Sequence, residues 1–156
     1  MRVWRLALGR YREIDGEGAR VYGGRWNSPG NPVVYTATHI SPALLEQLVH
    51  VNPDRLPDAF RVLAIEPPDD PSPEIASAAV IPTGMEACRR YGNTRAASRR
   101  SAALVLSSVV VAASLQPGDV PTPERNVLLN PRHASADAWQ VVETSFRVDS
   151  RLKRAG

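Results

Sequence analysis

The sequence predicts one small α+β domain over residues 1–156. Short runs of β-branched and aromatic residues indicate strands, and one capped apolar stretch indicates a helix. With 43% apolar and 22% charged residues, the chain has the composition of an ordinary globular domain. Proline-rich connections at 66–73 and 116–124 are predicted to be surface loops. The first is not taken as a domain boundary, because fewer than 70 residues precede it.

The N-terminal part is predicted to form two strands separated by a loop. Val3–Ala7 has the alternation of a strand, the four glycines of Gly16–Gly24 indicate a loop, and Val33–Ala37 is a second strand bounded by turn residues. The alternation assigns the first strand two faces: Trp4 and Leu6 on one, Val3 and Arg5 on the other.

A helix is predicted to follow the second strand. Ser41 is a suitable N-cap, Pro42 suits the first helical position, and Asn52-Pro53 is expected to end the helix. The predicted apolar stripe consists of Leu44, Leu45, Leu48 and Val49. At about 100° per residue, Glu46 lies nearly opposite this stripe.

Five further elements are predicted downstream. They are a strand at Phe60–Ile65, a short helix at Met85–Tyr91, a buried strand at Ala103–Val111, a short apolar segment at Asn126–Leu129 and a final strand at Gln140–Val148. Gly92 is expected to stop the short helix, because glycine commonly ends helices.

Composition and motifs exclude several protein classes. A net charge of +3 is too small by itself to indicate a nucleic-acid or membrane surface. The single cysteine, Cys88, cannot form an internal disulfide, and no Cys/His cluster has metal-ligand spacing. The longest apolar stretch, 102–115, is shorter than a membrane span of about 20 residues, and no secretory signal is recognised. We therefore expect a cytoplasmic protein without a metal centre.

The residues alone leave the function open. No nucleophile elbow, Walker loop, HExxH or strand-linked GxGxxG motif occurs, and the three histidines are far apart in sequence. Arg25, after two glycines, suits close approach to a phosphate, or equally a stack on Trp26 at the surface. Tyr35 is either a core residue or part of a site. Glu46 is either solvated or functional.

An ordered set of motifs resembles the RES-domain toxins of bacterial RES–Xre toxin–antitoxin pairs. The motifs are Gly24–Gly30, Val33–Ala37, Leu44–Glu46 with His50, Ser107–Val110, Asn126–His133 and Phe146–Leu152. They span almost the whole chain. The resemblance implies a fold similar to that of ADP-ribosyltransferase toxins. It also implies NAD⁺ as a substrate, with no permanently bound cofactor.

The resemblance further assigns site residues. The arginine, glutamate and serine that name the family correspond to Arg25, Glu46 and Ser108, and the family's strand arginine and tyrosine to Arg5 and Tyr35. Glu46 would stabilise the oxocarbenium-like centre that forms as nicotinamide leaves. The arginines would clamp the diphosphate and the adjoining ribose. Tyr35 would border the nicotinamide ring, and Ser108 would bind on the nicotinamide ribose or amide side.

This assignment carries a geometric expectation and two departures from the family pattern. Arg5 should face one cleft with Val33 and Tyr35, and Trp4 and Leu6 should face the core. Ser107 stands where relatives usually have proline, which should change backbone stiffness. The segment 112–125 is longer than expected, so the choice of acceptor stays open.

The function implied by the resemblance is a toxin that degrades NAD⁺ by cleaving the nicotinamide–ribose bond, with water or phosphate as acceptor. Two alternatives stay open: transfer of ADP-ribose to a specific protein, and a non-catalytic module that only binds an antitoxin. The implied partner is an Xre-like antitoxin with a helix-turn-helix region, and DNA would be bound only through that complex. The oligomeric state, including a homo-oligomer, also stays open.

Overall fold

The computed structural model describes residues 1–9, 12–51, 57–68, 73–76, 83–112 and 124–152, which form an α+β domain as predicted. The strands are β1 (Val3–Ala7), β2 (Val34–Ala37), β3 (Ala59–Glu66), β4 (Glu74–Ile75), β5 (Ala103–Ser107), β6 (Arg125–Leu129) and β7 (Gln140–Arg147). The helices are α1 (Glu17–Tyr22), α2 (Ile40–His50), α3 (Met85–Ser98) and α4 (Val109–Ala112).

The strands form one sheet in the order β4-β5-β6-β2-β1-β3-β7. Neighbouring strands are antiparallel, except that β4 and β5 are parallel. β1 and β2 meet through one registered pair, Trp4 with Ala37, whereas β3 and β7 pair along their whole length. The sheet therefore consists of two well-paired halves with a short join between β1 and β2.

Each face of the sheet has its own apolar core. On one face the cluster includes Val3, Val34, Ile65, Val127 and Trp139. On the other face, α2 packs Leu44 and Leu48 against a cluster that includes Leu6 and Val62, and α3 packs Cys88 against Trp26, Leu104 and Leu128. Burial of these side chains is the main source of stability. It also places α2 and α3 on the same face of the sheet.

The strand predictions are confirmed to within one or two residues, with one exception. The predicted strand Ala103–Val111 ends at Ser107, and α4 begins at Val109. Ser107 is the last β5 residue paired with β6, and one more backbone hydrogen bond, from the Ser108 N–H to the Glu124 carbonyl oxygen at 3.4 Å, precedes the helix. Asn52-Pro53, loop residues 69–72 and loop residues 116–123 lie outside the described residues.

The predicted glycine-rich loop Gly16–Gly24 is wrong, because it contains helix α1. Gly16 precedes the helix with φ 71° and Gly23 follows it with φ 70°. These left-handed angles suit glycine, so the two residues mark the ends of a helix. Within α1, Arg20 forms a two-bond ion pair with Glu17.

The predicted stop at Gly92 is also wrong, because α3 continues to Ser98. A Cβ atom at position 92 would lie 1.9 Å from the carbonyl oxygen of Trp26. The glycine therefore allows the Trp26 backbone to touch the middle of α3. The helix ends where Arg99 takes a left-handed conformation, with φ 49°.

Two details of the α2 prediction need correction. The N-cap residue is His39, without a side-chain capping bond, and Ser41 lies inside the first turn. Leu45 and Val49, assigned to the apolar stripe, are 41% and 58% exposed, whereas Pro42 and Ala43 are buried. The side of the helix that faces the sheet thus includes Leu44 and Leu48 of the predicted stripe, but not Leu45 and Val49.

In the parts of the chain that the structure describes, no helix has the length and apolar character needed to cross a bilayer. The longest, α3, has 14 residues, against about 20 for a span.

Candidate active site

Glu46 lies on the side of α2 that faces the sheet. It follows buried Pro42 by four residues, so the two side chains lie on the same side of the helix. The residue is half-buried, and Asn126 Nδ2 donates a hydrogen bond to its Oε1 at 3.0 Å. The interpretation of Glu46 as a solvated glutamate is therefore wrong.

Asn126 presents this donor from the start of β6. It pairs with Ala37 of β2 and with Leu106 of β5. Its side chain is buried, and its Oδ1 has no hydrogen-bond partner among the residues described. The amide therefore fixes the carboxylate at this end of the sheet and keeps one acceptor unused beside it.

Tyr35 anchors the loop that carries Arg25. Its hydroxyl accepts a hydrogen bond from the Trp26 N–H at 3.0 Å and donates one to Asn27 Oδ1 at 2.8 Å. Burial raises the pKa of Tyr35 to about 12, so the phenol is neutral at physiological pH. One bond holds the backbone at Trp26 and the other holds the side chain of Asn27.

Further contacts make the same loop rigid. Asn27 Nδ2 donates to the carbonyl oxygens of Ala19 at 2.7 Å and Asn31 at 2.8 Å. From α3, Asn93 binds both the backbone N–H and the hydroxyl of Ser28. Trp26 itself is 2% exposed. The alternative in which Arg25 stacks on Trp26 at the surface is therefore wrong.

Arg25 extends from this rigid loop into solvent. Its residue is exposed, and its guanidinium forms no hydrogen bond or ion pair within the described ranges. The carbonyl oxygen of the preceding residue, Gly24, accepts a hydrogen bond from Arg89 Nε of α3 at 2.9 Å. Burial has the largest effect on the pKa of Tyr35 and raises it, whereas the Trp26 N–H and the guanidinium groups of Arg89 and Arg25 act to lower it.

The register brings Tyr35 and Glu46 to one face. Tyr35 pairs with Leu128, and Ala37 pairs with Asn126. Since antiparallel partners share a face and every second residue returns to it, Tyr35 and Asn126 lie on the same face of adjacent strands. Glu46, bound to Asn126, therefore sits above the face that carries Tyr35.

Ser108 belongs to the same end of the sheet. It follows β5, whose Leu106 pairs with Asn126, and its side chain is buried. The next residues form α4, which packs against α2, the helix of Glu46. Ser108 therefore lies at the end of the sheet where Asn126 contacts Glu46.

Arg5 does not lie on the sheet face that carries Tyr35. Trp4 pairs with Ala37, so Tyr35 shares the face of Trp4 and Leu6, and Arg5 points from the opposite face. Arg5 Nη1 donates to the carbonyl oxygen of Glu13 at 2.8 Å, and burial lowers its pKa. The expectation that Arg5 and Tyr35 face one cleft is wrong, because the strand register separates them.

Glu46 and Arg25 suit a particular chemistry. A fixed carboxylate can stabilise positive charge that develops on a neighbouring atom, and an exposed arginine on a rigid loop can hold an anionic group. Within the described segments, no three His, Cys, Asp or Glu residues are arranged to hold a metal ion.

Sequence reasoning missed two residues of this site. Asn126 was given no role of its own in the predicted segment Asn126–Leu129 or in the Asn126–His133 motif, because its pairing with Ala37 and its contact with Glu46 follow from the strand register. Arg89 belongs to none of the motifs, and its contact with Gly24 joins residues 65 positions apart. Neither contact leaves a local pattern in the sequence.

Comparison with known families resolves the identity of the domain. The family model described as the RES domain matches residues 2–150. This chain belongs to the RES domain family. The resemblance predicted from the ordered motifs is therefore confirmed.

Curated relatives match the RES domain along most of its length. A protein of Photorhabdus laumondii named "Toxin Res" is 34% identical, with 99% of each chain covered. A "Toxin Res" of Pseudomonas putida is 35% identical, covering 97% of this chain and 99% of the relative. A "Prs ADP-ribosylating toxin" of Sphingobium is 36% identical, covering 85% and 84%.

A solved structure shares the fold of this RES domain. It is the crystal structure of the M. tuberculosis MbcT–MbcA toxin–antitoxin complex, with a TM-score of 0.67 and 17% identity. The alignment covers 97% of this chain and 85% of the matched chain. At that identity the likeness establishes the fold, and it confirms the predicted α+β class.

Proposed function

We propose that this RES domain is the toxin of a toxin–antitoxin pair and that it cleaves the nicotinamide–ribose bond of NAD⁺. The observation that carries the proposal is the placement of Glu46. Its carboxylate is held by Asn126 above the sheet face that carries Tyr35, and Tyr35 in turn anchors the loop of Arg25. These are the groups that such a cleavage needs on one surface.

The proposed reaction breaks the bond between ribose C1′ and the nicotinamide nitrogen, and the electron pair leaves with the nitrogen. Nicotinamide departs neutral, so no general acid is required. Glu46 stabilises the positive charge that develops at C1′. The acceptor, water or phosphate, then forms its bond to C1′ and, when it is water, releases a proton.

The other residues orient the dinucleotide. Arg25 binds the diphosphate with its forked N–H groups, and the rigid loop limits the entropy lost on binding. Tyr35 keeps this loop in place, and its ring borders the nicotinamide. Ser108 lies at the same end of the sheet as Glu46 and binds on the ribose side. No resident cofactor takes part, since NAD⁺ is the substrate.

The test is nicotinamide release by the purified protein, free of any antitoxin, with and without phosphate. The proposal predicts release. A phosphate-dependent rate with ADP-ribose 1″-phosphate as product indicates phosphorolysis, and ADP-ribose alone indicates hydrolysis. A folded protein that releases no nicotinamide under either condition, and none when cell extract is added, contradicts the proposal.

A second function with the same donor site is transfer of ADP-ribose to a protein. One relative favours it: the Sphingobium protein, 36% identical, is named an ADP-ribosylating toxin. Radiolabelled NAD⁺ incubated with cell extract separates the two functions. Label that appears on one protein band indicates transfer, whereas label only in small molecules indicates consumption of NAD⁺.

The proposed partner is an Xre-like antitoxin with a helix-turn-helix region. The solved complex with the same fold contains a toxin and an antitoxin, which supports a partner of this kind. Co-purification with the product of the adjacent gene, together with loss of nicotinamide release in the complex, tests this proposal. DNA binding is expected only for the complex.

A further inference from the structure

We propose that Arg89 is the second arginine of the diphosphate site, acting beside Arg25 in place of Arg5. This inference rests on the proposed function, because it concerns the same substrate. It assigns a binding role to a residue of α3 that no sequence motif indicated.

The first argument is the geometry of the Arg89 side chain. Its Nε donates to the carbonyl oxygen of Gly24 at 2.9 Å, and Gly24 directly precedes Arg25. A guanidinium has five N–H donors. The structure gives Arg89 no other partner within the ranges it describes, so four donors stay available next to Arg25.

The second argument is the charge at this position. Arg25 belongs to the loop that Tyr35 anchors, and the hydrogen bond to Gly24 brings the Arg89 guanidinium to the same loop. Arg90, the next residue on α3, is instead neutralised by Glu86 at 3.2 Å. No carboxylate in the described part of the chain pairs with Arg25 or Arg89. Two neighbouring cations without an anion repel each other, and a ligand with two negative groups relieves that repulsion.

The third argument is the match to a diphosphate. Each phosphate accepts hydrogen bonds from a planar arginine fork, so two adjacent forks suit two linked phosphates. Arg5 lacks this opportunity. It points from the other face of the sheet and donates to Glu13. The resemblance implied a clamp made of Arg5 and Arg25, and the clamp inferred here consists of Arg25 and Arg89.

The experiment compares Arg89→Met with Arg90→Met, because methionine keeps the packing of the aliphatic stem and Arg90 is the adjacent arginine. KM and kcat for NAD⁺ are measured, together with the Kd of ADP-ribose. Nicotinamide serves as a control ligand without phosphate. Arg89→Met should raise the KM and the Kd of ADP-ribose about ten- to a hundredfold, the range expected for losing charged hydrogen bonds. The affinity for nicotinamide and the values for Arg90→Met should stay within about twofold of wild type.

The outcomes separate this inference from the proposed function. If the wild-type protein binds ADP-ribose and Arg89→Met behaves like Arg90→Met, the inference is wrong and the proposed function stands. If the wild-type protein neither binds ADP-ribose nor consumes NAD⁺, the proposed function is wrong as well. Should Arg89→Met fail to fold, Arg89→Lys is measured instead. Lysine keeps the charge but lacks the fork, so the KM for NAD⁺ and the Kd of ADP-ribose should both rise. Unchanged values of both overturn the inference.

Discussion

Asn126 and Glu46 are 80 residues apart in the sequence, and a hydrogen bond of 3.0 Å joins their side chains. The contact links a strand of the central sheet to the middle of α2. The sequence placed Glu46 opposite an apolar stripe. The contact with Asn126 instead fixes its carboxylate in the candidate site.

Replacing Asn126 by alanine should lower kcat for NAD⁺ about ten- to a hundredfold. The reason is that a hydrogen bond to a charged group contributes about 1.5–3 kcal/mol, and here it orients the carboxylate. Steady-state nicotinamide release checks this. The matched control is Asn130→Ala, because the amide of Asn130 binds the Ala96 carbonyl in the core and should affect stability alone. Equal kcat losses in the two variants contradict the prediction.

Tyr35→Phe should destabilise the domain by about 1–3 kcal/mol, because it leaves the Trp26 N–H and Asn27 Oδ1 without their shared partner. The pH dependence provides a second measurement. The pKa of Tyr35 is raised to about 12 in the folded protein, against about 10 when unfolded. The contribution of the Tyr35 hydroxyl to the free energy of unfolding is therefore complete below about pH 10 and is lost as the pH rises towards about 12. Urea unfolding between pH 9 and 11.5 should show this loss in the wild type and less of it in Tyr35→Phe; parallel curves contradict the account.

Gly92→Ala should destabilise the protein by more than about 3 kcal/mol or prevent folding. Its Cβ would overlap the Trp26 carbonyl oxygen, and backbone on both sides leaves no room to adjust. Gly18→Ala is the control, because position 18 lies within α1 and has open space around it. This variant should gain about 0.5–1 kcal/mol from helix propensity. Thermal or urea unfolding of both variants measures the difference, and a well-folded Gly92→Ala protein disproves the close contact.

Glu74→Gln should destabilise the fold by about 3–5 kcal/mol. Glu74 is the carboxylate partner of buried Arg95 and also pairs with Arg100 at 2.7 Å, so the variant leaves a buried cation without its anion. Glu86→Gln removes an exposed pair with Arg90 and should change stability by less than about 0.5 kcal/mol.

The ion pairs of Glu74 should also make the stability depend on pH. Hydrogen bonding to Arg100, with a smaller contribution from Arg95, lowers the pKa of Glu74 in the folded protein. Its stabilising effect is present above the unfolded pKa of about 4.3 and is lost as the pH falls through the folded value. The free energies of unfolding of the wild type and of Glu74→Gln should therefore converge as the pH falls from 7 to 3. A constant difference across this range contradicts the assignment.

The sequence predicted what depends on local pattern. Alternation located β1 and β2, and it correctly put Arg5 on the side opposite Trp4 and Leu6. The ordered motifs identified the family. These signals are contained in a few neighbouring residues, so no knowledge of tertiary contacts was needed.

The sequence did not predict what depends on contacts between distant residues. The face of Tyr35 follows from the pairing of Trp4 with Ala37, and only that register separates Tyr35 from Arg5. Gly92 was predicted to end a helix, because the sequence does not show that the Trp26 backbone packs against this position. The orientation of α2 was wrong because two exposed apolar residues, Leu45 and Val49, imitate a buried stripe.

The most direct test of the account is nicotinamide release from NAD⁺ by Glu46→Gln compared with the wild type. Glutamine keeps the shape of the side chain and removes its charge, so the account predicts a folded protein that still binds ADP-ribose. Its nicotinamide release should fall at least about a hundredfold. A Glu46→Gln protein that releases nicotinamide at the wild-type rate would contradict the central claim that this carboxylate drives the reaction.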